Sequence, residues 1–383
     1  MVSNLSQYII YVTINSIHLY VQLSIKKFLL LLICPKKGCF LLLTFKENRN
    51  TLIVYHVVII TEGEVIMSNE LIWAYHLRFG GGQSPFDVND GGHCKKIVLP
   101  ELFDIDMWKE MSQKLKDSKC CNTIIIEVAN SLQFETHPEI TGEGAWDKYR
   151  YAEEISRLKD MGFKVYPLLN FSAGHDDWMG IYSRMVSTPQ YYTFCKDIIE
   201  EVSELFGKPE LFHLGWDEEC MSIQNKQRMC IIRNNDLYWH DINYTFSLAE
   251  KCGARPWIWA DYVWHSKDKE KQFVENMSKE VLLSNWYYQL FNDAENDWHY
   301  GAYHGFDVLE KHGFDQLPSG SNICHEENFG LVADYCTKLI APERLKGYMM
   351  CSWRSMCNQN KDKISSGIDD MKKTYDKYCS ENK

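Results

Sequence analysis

Leu211-Phe212-His213-Leu214-Gly215-Trp216-Asp217-Glu218-Glu219 is a short apolar run that breaks into three consecutive acids. A strand buried on both faces reads as such a run, because neighbours cover each side of a parallel sheet. Three acids straight after a buried strand are costly to place unless the loop they open is a site. The plainer alternative is a solvated helix N-terminus, where acids suit the helix dipole.

Working outward, the same punctuation recurs. Strands are expected at 71–77 (LIWAYHL), 123–128 (TIIIEV), 163–169 (FKVYPLL), 211–215, 256–260 (PWIWA), 281–287 (VLLSNWY), weakly near 316–324, and at 347–353. Helical apolar spacing falls between them, at 103–116, 149–161, 191–206, 243–251, 305–312 and 335–345. About eight strand-then-helix units over this length predict an α/β fold, a (β/α)8 TIM barrel forming one catalytic domain. An open doubly wound sheet would lead with a glycine-rich phosphate turn. Gly80-Gly81-Gly82 precedes no clear helix, so that signal is weak.

Residues 67–360 are read as the barrel and 361–383 as a C-terminal helix and tail. Residues 1–66 are expected to be a foreign or disordered extension, with translation beginning at Met67. Their apolar runs, 28–33 and 40–44, fall short of the ~20 residues a membrane helix needs. A start at Met67 implies a cytoplasmic protein; with the extension retained, secretion stays open. The net charge of −11 argues against a nucleic-acid partner, which calls for Lys and Arg. The 14 cysteines show no C-x-x-C pair and read as free thiols.

Catalytic groups of a barrel sit where strands end. Those ends carry His76 and Arg78; Glu127 and Asn130; Asn170 and then His175; Asp217, Glu218 and Glu219; Trp259; Trp286 and Tyr287; and Trp353. Carboxylates, histidines, an arginine and tryptophans suit acetal cleavage. An acid protonates the leaving oxygen, a polar group steadies the cationic transition state, and flat rings hold the sugar. Each tryptophan alone reads as core filling; their shared position at strand ends points to a sugar platform. For His175 the plain alternative is a loop cap. His76, His175, His213 and Asp217 also suggest metal ligands, but Tyr75-His76-Leu77 lacks the H-x-H that opens such barrels, and no metal or cofactor is called for.

Phe212-His213-Leu214-Gly215-Trp216-Asp217-Glu218 resembles the fourth-strand signature of glycoside hydrolase family 20, the β-N-acetylhexosaminidases, approximately H-x-G-G-D-E. Tyr166-Pro167-Leu168-Leu169-Asn170 followed by Gly174-His175 is similar to that family's third-strand P-E-x-D-x-P-G-H. The resemblance implies a carbohydrate substrate ending in an N-acetyl-hexosamine, cleaved by a substrate-assisted retaining mechanism. Asp217 would orient the 2-acetamido group. Glu218 would be general acid and then base, with burial beside Asp217 keeping its proton on, and His175 would tune it. Arg78, Asn130, Trp259, Trp286, Tyr287 and Trp353 would bind the sugar. Departures are Trp216 in place of a glycine, Asn130 and Asn170 in place of aspartates, and Arg354-Ser355 where a sugar-binding glutamate is usual. The competing readings are a sugar-binding barrel without turnover and a barrel hydrolase acting on another glycoside.

Overall fold

The computed structural model describes residues 71–79, 103–221, 224, 230–291 and 301–381, and the backbone of 8–14, 17–24, 27–34, 39–48, 51–61, 64–66, 222–223 and 297–300. Gly80-Gly81-Gly82 and Met67 lie outside the described residues. The chain divides into two compact units, Met1–Glu70 and Leu71–Lys383. In the first, β1 (Tyr8–Ile14), β2 (Ile17–Ser24), β3 (Lys27–Cys34), β4 (Cys39–Asn48), β5 (Thr51–Thr61) and β6 (Glu64–Ile66) pair antiparallel in sequence order. The apolar runs 28–33 and 40–44 thus lie on β3 and β4.

The second unit is a (β/α)8 barrel. Its strands are β7 (Ile72–Arg78), β8 (Thr123–Glu127), β9 (Lys164–Leu168), β10 (Leu211–His213), β11 (Arg255–Trp259), β12 (Leu282–Ser284), β13 (Ser319–Gly320) and β14 (Gly347–Cys351). They are parallel, in the order β12-β11-β10-β9-β8-β7-β14-β13, and the bridges Leu283–Gln316 and Trp286–Ser319 join the two ends. Side chains alternate across each strand. On β7 and β8, Trp73, Tyr75, Leu77, Ile124 and Ile126 pack outward under the helices, while Ala74 and Ile125 line the inside. By the same alternation His76, Arg78 and Glu127 belong to the inner face, as do His213, Trp257 and Trp259.

The helices are α1 (Ile105–Ser118), α2 (Lys148–Asp160), α3 (Pro189–Leu205), the single turn α4 (Met221–Gln224), α5 (Asn235–Lys251), α6 (Lys267–Asn276), α7 (Asp297–Lys311), α8 (Asn328–Leu339) and α9 (Lys361–Glu381). No helix of the described residues is long and apolar enough to cross a membrane. Four helices differ from the periodicity reading: α5 and α7 begin at Asn235 and Asp297, each eight residues before the expected start. α6 (KDKEKQFVEN) buries only Phe273, so it shows no apolar stripe; its signal was the cap, Ser266 accepting Lys269 N–H, with Asp268 and Glu270 in the first turn. The helix expected at 335–345 instead starts at Asn328 and stops at Leu339. Ile340 is already extended, and Ala341 precedes Pro342, which disfavours helical backbone.

The ring closes tightly between its first and last strands. Gly347 pairs with Ile72 at φ 145, and a Cβ there would lie 1.9 Å from the Ile72 carbonyl oxygen. Backbone, unlike a flexible side chain, does not yield. Gly347→Ala is therefore expected to cost several kcal/mol, beyond the ~1–3 kcal/mol of a strained backbone alone. Denaturant melts check this: an unchanged midpoint would show that β7 and β14 tolerate separation.

Candidate active site

Two residues after β10 ends, at Gly215, the chain turns sharply. Gly215 has φ 72, and a Cβ on it would strike Asn170. Trp216 (φ 72) and Glu218 (φ 55) are also left-handed. Non-glycine residues hold such angles only where their surroundings over-determine them, and such strain gathers at functional sites.

Those surroundings are specific. Asn170, at the end of β9, accepts the Ser172 and Trp216 N–H groups at 3.1 Å through Oδ1 and donates Nδ2 to Asp217 Oδ1 at 2.7 Å. Ser172 Oγ donates to the Asp217 carbonyl. Asn170 is thus the hub joining two loops, with both ends of its amide spent inside the protein.

Glu219 faces away from the site. It forms a paired ion contact with Arg233, Nη2–Oε2 at 2.6 Å and Nε–Oε1 at 2.8 Å, and it also accepts Ala173 N–H. Arg233 further donates to Asp241 at 3.2 Å and to the Phe171 carbonyl at 2.9 Å. Its guanidinium lies 4.3 Å from the ring centre of Trp216, whose Nε1 donates to Thr245. The departure at Trp216 therefore has a structural reason: its indole packs against a buried cation. The helix N-terminus alternative does not hold for Glu219, which is 2% exposed.

The remaining two acids differ in burial. Asp217 is buried and Glu218 is partly open, with side-chain exposures of 9% and 26%. His175 Nε2 lies 3.0 Å from Glu218 Oε2 and 3.4 Å from Asp217 Oδ2. Burial pushes the Asp217 carboxyl up to about 7; His175 and the Asn170 hydrogen bond oppose the rise, and Asp261 and Glu218 add to it. Of the two, Asp217 is the more deeply buried. His175, Asp217 and Glu218 also bring one ligand atom each within 4.8 Å of one another, a spacing that suits a divalent cation. In this arrangement, however, each of these groups already has a protein partner. His213 Nδ1 accepts the Gly215 N–H at 3.1 Å, and His76 Nε2 lies 3.1 Å from Glu127, so both histidines are engaged away from that trio.

The expected sugar-binding residues divide. Arg78 lies 3.4 Å from Glu127 and 5.9 Å from the Trp353 ring centre. Burial opposes a charge on Glu127, yet Arg78 and His76 hold its carboxyl below the usual range. Trp353, at φ 50, sits among His76 (4.8 Å), Trp259 (5.6 Å) and Tyr288 (6.3 Å). Trp286 stacks on Tyr288 at 5.1 Å. Trp259 is sealed against His213 at 4.5 Å, so it is floor rather than wall. Tyr287 is not brought to the site: it packs in the outer core, and its hydroxyl donates to the Leu290 carbonyl. The pleat gives the inner position to Tyr288, whose hydroxyl feels Asp217 and Glu218. Asn130 lies past β8, packed on Gly142 with its carbonyl accepting the Gly142 N–H. Glu127, named at a strand end, and its counterpart Tyr288 were given no sugar-binding role by the sequence reading. Strand parity was the available signal for both.

No protein-family model and no curated protein matches the sequence. Solved structures do match in fold. The Flavobacterium johnsoniae chitobiase of glycoside hydrolase family 20 aligns at TM-score 0.53 and 15% identity, over 72% of this chain and 48% of that one. The family 20 exo-β-N-acetylglucosaminidase of Vibrio harveyi aligns at 0.53 and 13%, over 78% and 54%. This chain thus spans about half the length of either. The endo-β-1,4-glucanase B of Bacillus halodurans aligns at 0.51 and 13%, over 80% and 60%. At these identities the likeness shows a shared barrel, common to more than one kind of glycosidase.

Two outcomes follow from the site's electrostatics. Arg233→Met leaves Glu219 and Asp241 buried without their cation, which typically costs about 3–5 kcal/mol. A denaturation midpoint within experimental error of the wild type would contradict this. For Asp217, whose carboxyl rises from 3.8 in the free residue, both folded and unfolded chains are protonated below about pH 4. Between there and about 7 the unfolded chain sheds the proton and the folded one keeps it, so stability falls as pH rises. Asp217→Asn removes that loss. Its melting temperature is expected to match the wild type near pH 4 and to exceed it by several degrees near pH 8, at about 2–4 °C per kcal/mol for a chain of this size. Equal melting curves at both pH values would refute the assignment.

Proposed function

We propose that the chain is a glycoside hydrolase that resembles the β-N-acetylhexosaminidases and releases terminal N-acetyl-hexosamine residues. The observation that carries the reading is the adjacent, unequal acid pair: Glu218 partly open and hydrogen-bonded to His175, Asp217 buried and held by Asn170. Two acids in contrasting environments are suited to two roles.

In this reading the 2-acetamido oxygen of the sugar attacks its own anomeric carbon while Glu218 gives its proton to the departing glycosidic oxygen. The C–O bond breaks and a cyclic oxazolinium forms, so no enzyme nucleophile is needed. Asp217, ionised above about pH 7 where burial no longer holds its proton, accepts the acetamido N–H and steadies the positive charge. Water then attacks the anomeric carbon, Glu218 takes its proton, and the acetamide re-forms with retained configuration. Trp286, Tyr288 and Trp353 supply flat rings for the sugar, and Arg78 with Glu127 supplies polar groups for its hydroxyls. A second reading, a sugar-binding barrel without turnover, draws on Asn130 packing away on Gly142 and on Arg354-Ser355 after Trp353. A binder, however, has no use for a buried acid beside a His-paired one.

An aryl N-acetyl-β-glucosaminide tests both readings. Chromophore release is expected from the wild type, with a loss of about 10²–10⁴-fold in Glu218→Gln. Wild type and variant equally inert across aryl-glycosides would leave the binding barrel. Efficient cleavage of a glycoside lacking the 2-acetamido group would remove substrate assistance.

A further inference from the structure

Asp261 follows β11 and opens the short turn Asp261–Trp264. Its carboxyl is fully buried. Oδ2 accepts the backbone N–H of Glu218 at 2.8 Å and lies 2.9 Å from His265 Nε2, while Oδ1 has no hydrogen-bond partner among the described residues. A buried carboxylate with one oxygen unmet is expensive, and here its other oxygen is shared between one amide and one imidazole. That amide belongs to the residue whose φ is 55.

The backbone angle at Glu218 decides where its side chain points, and the side chain points at His175. A hydrogen bond from an N–H to a carboxylate is about twice as strong as a neutral one. Asp261 is thus the anchor on the β11 side of the turn, as Asn170 is on the β9 side. We propose that Asp261 is a positioning residue for the acid pair: its carboxylate locks the left-handed turn at Glu218 and sets a further buried negative charge beside Asp217, with His265 held against its Oδ2.

The neighbouring groups are countable. Around Asp217 stand His175 and Asn170 from the β9 loop, Glu218 next in the chain, and Asp261 from the β11 turn. Tyr288, after β12, and Cys351, on β14, both feel the Asp217 charge. Around Asp261 stand His265, the Glu218 N–H and Tyr238 of α5. Of these, Asp261 and Glu218 supply the negative charges that hold the proton on Asp217 alongside burial.

The proposal rests on the acid pair being the working one, so its test reads the pair without turnover as well as with it. The carboxyl carbon of Asp217 is followed by NMR through a pH titration, assigned with Asp217→Asn, together with the Glu218 amide signal and kcat on the aryl glycoside. Asp261→Asn keeps an acceptor for the amide and removes the charge. It is expected to lower the Asp217 titration midpoint by about a unit with the Glu218 amide signal little moved. Asp261→Ala removes both: the amide signal shifts, and kcat falls about 10²-fold with KM little changed, as for a misplaced catalytic group. An Asp217 midpoint unmoved in Asp261→Asn overturns the proposal. Should that variant not fold, Asp261→Ala decides instead: its Asp217 midpoint falls, or the proposal falls. If the midpoint moves while no glycoside is cleaved even by the wild type, the positioning role stands and the hydrolase reading fails.

Discussion

Arg233 is 2% exposed, and the geometry of the loop after β10 depends on its buried guanidinium. It binds Glu219 through two parallel contacts, reaches Asp241 on α5 and the Phe171 carbonyl after β9, and packs on Trp216. A buried arginine is tolerated only with its charge and its donors satisfied. One cation thereby ties the loops after β9 and β10 to a helix outside the barrel. It also takes Glu219 out of the acid run, so Asp217 and Glu218 are left as a pair.

That pair is polarised by position. Asn170 and Asp261 grip the turn from strands on either side, one through Asp217 Oδ1 and the Trp216 N–H, the other through the Glu218 N–H. The turn is left-handed at Gly215, Trp216 and Glu218, and its strain is held by buried hydrogen bonds to neighbouring strands. The outcome is one carboxyl sunk in the barrel mouth and one partly open beside a histidine. Burial is the first cause of the raised Asp217 carboxyl, so the chemical asymmetry of the pair is a consequence of how deep the turn is pulled.

Much of the barrel was legible in the chain. Buried parallel strands must be apolar on both faces, so β7, β8, β9 and β11 stand out as runs with sharp ends, and the residues at those ends could be named. What escaped notice had weak local signals. α6 buries a single side chain and announced itself by its cap alone. Tyr287 and Tyr288 are identical in type, and only the phase of the pleat separates the outer residue from the inner one. Glu127 was visible at a strand end, but its pairing with Arg78 and His76 needs two strands in register.

The sequence by itself determined the alternation of strands and helices, the placement of acids, histidine and tryptophans at strand ends, and the adjacency of Asp217 and Glu218, because these follow from short-range patterning and burial. Only the tertiary structure decided where each acid lies and what it contacts. Glu219 is structural because Arg233, fourteen residues on, folds back onto it. Asp217 is the buried member because Asn170 draws it inward. Asp261 reaches the Glu218 amide because β10 and β11 are neighbours in the barrel. Each of these rests on contacts between segments distant in the chain, and the charge, burial and strain they set have no counterpart in local sequence.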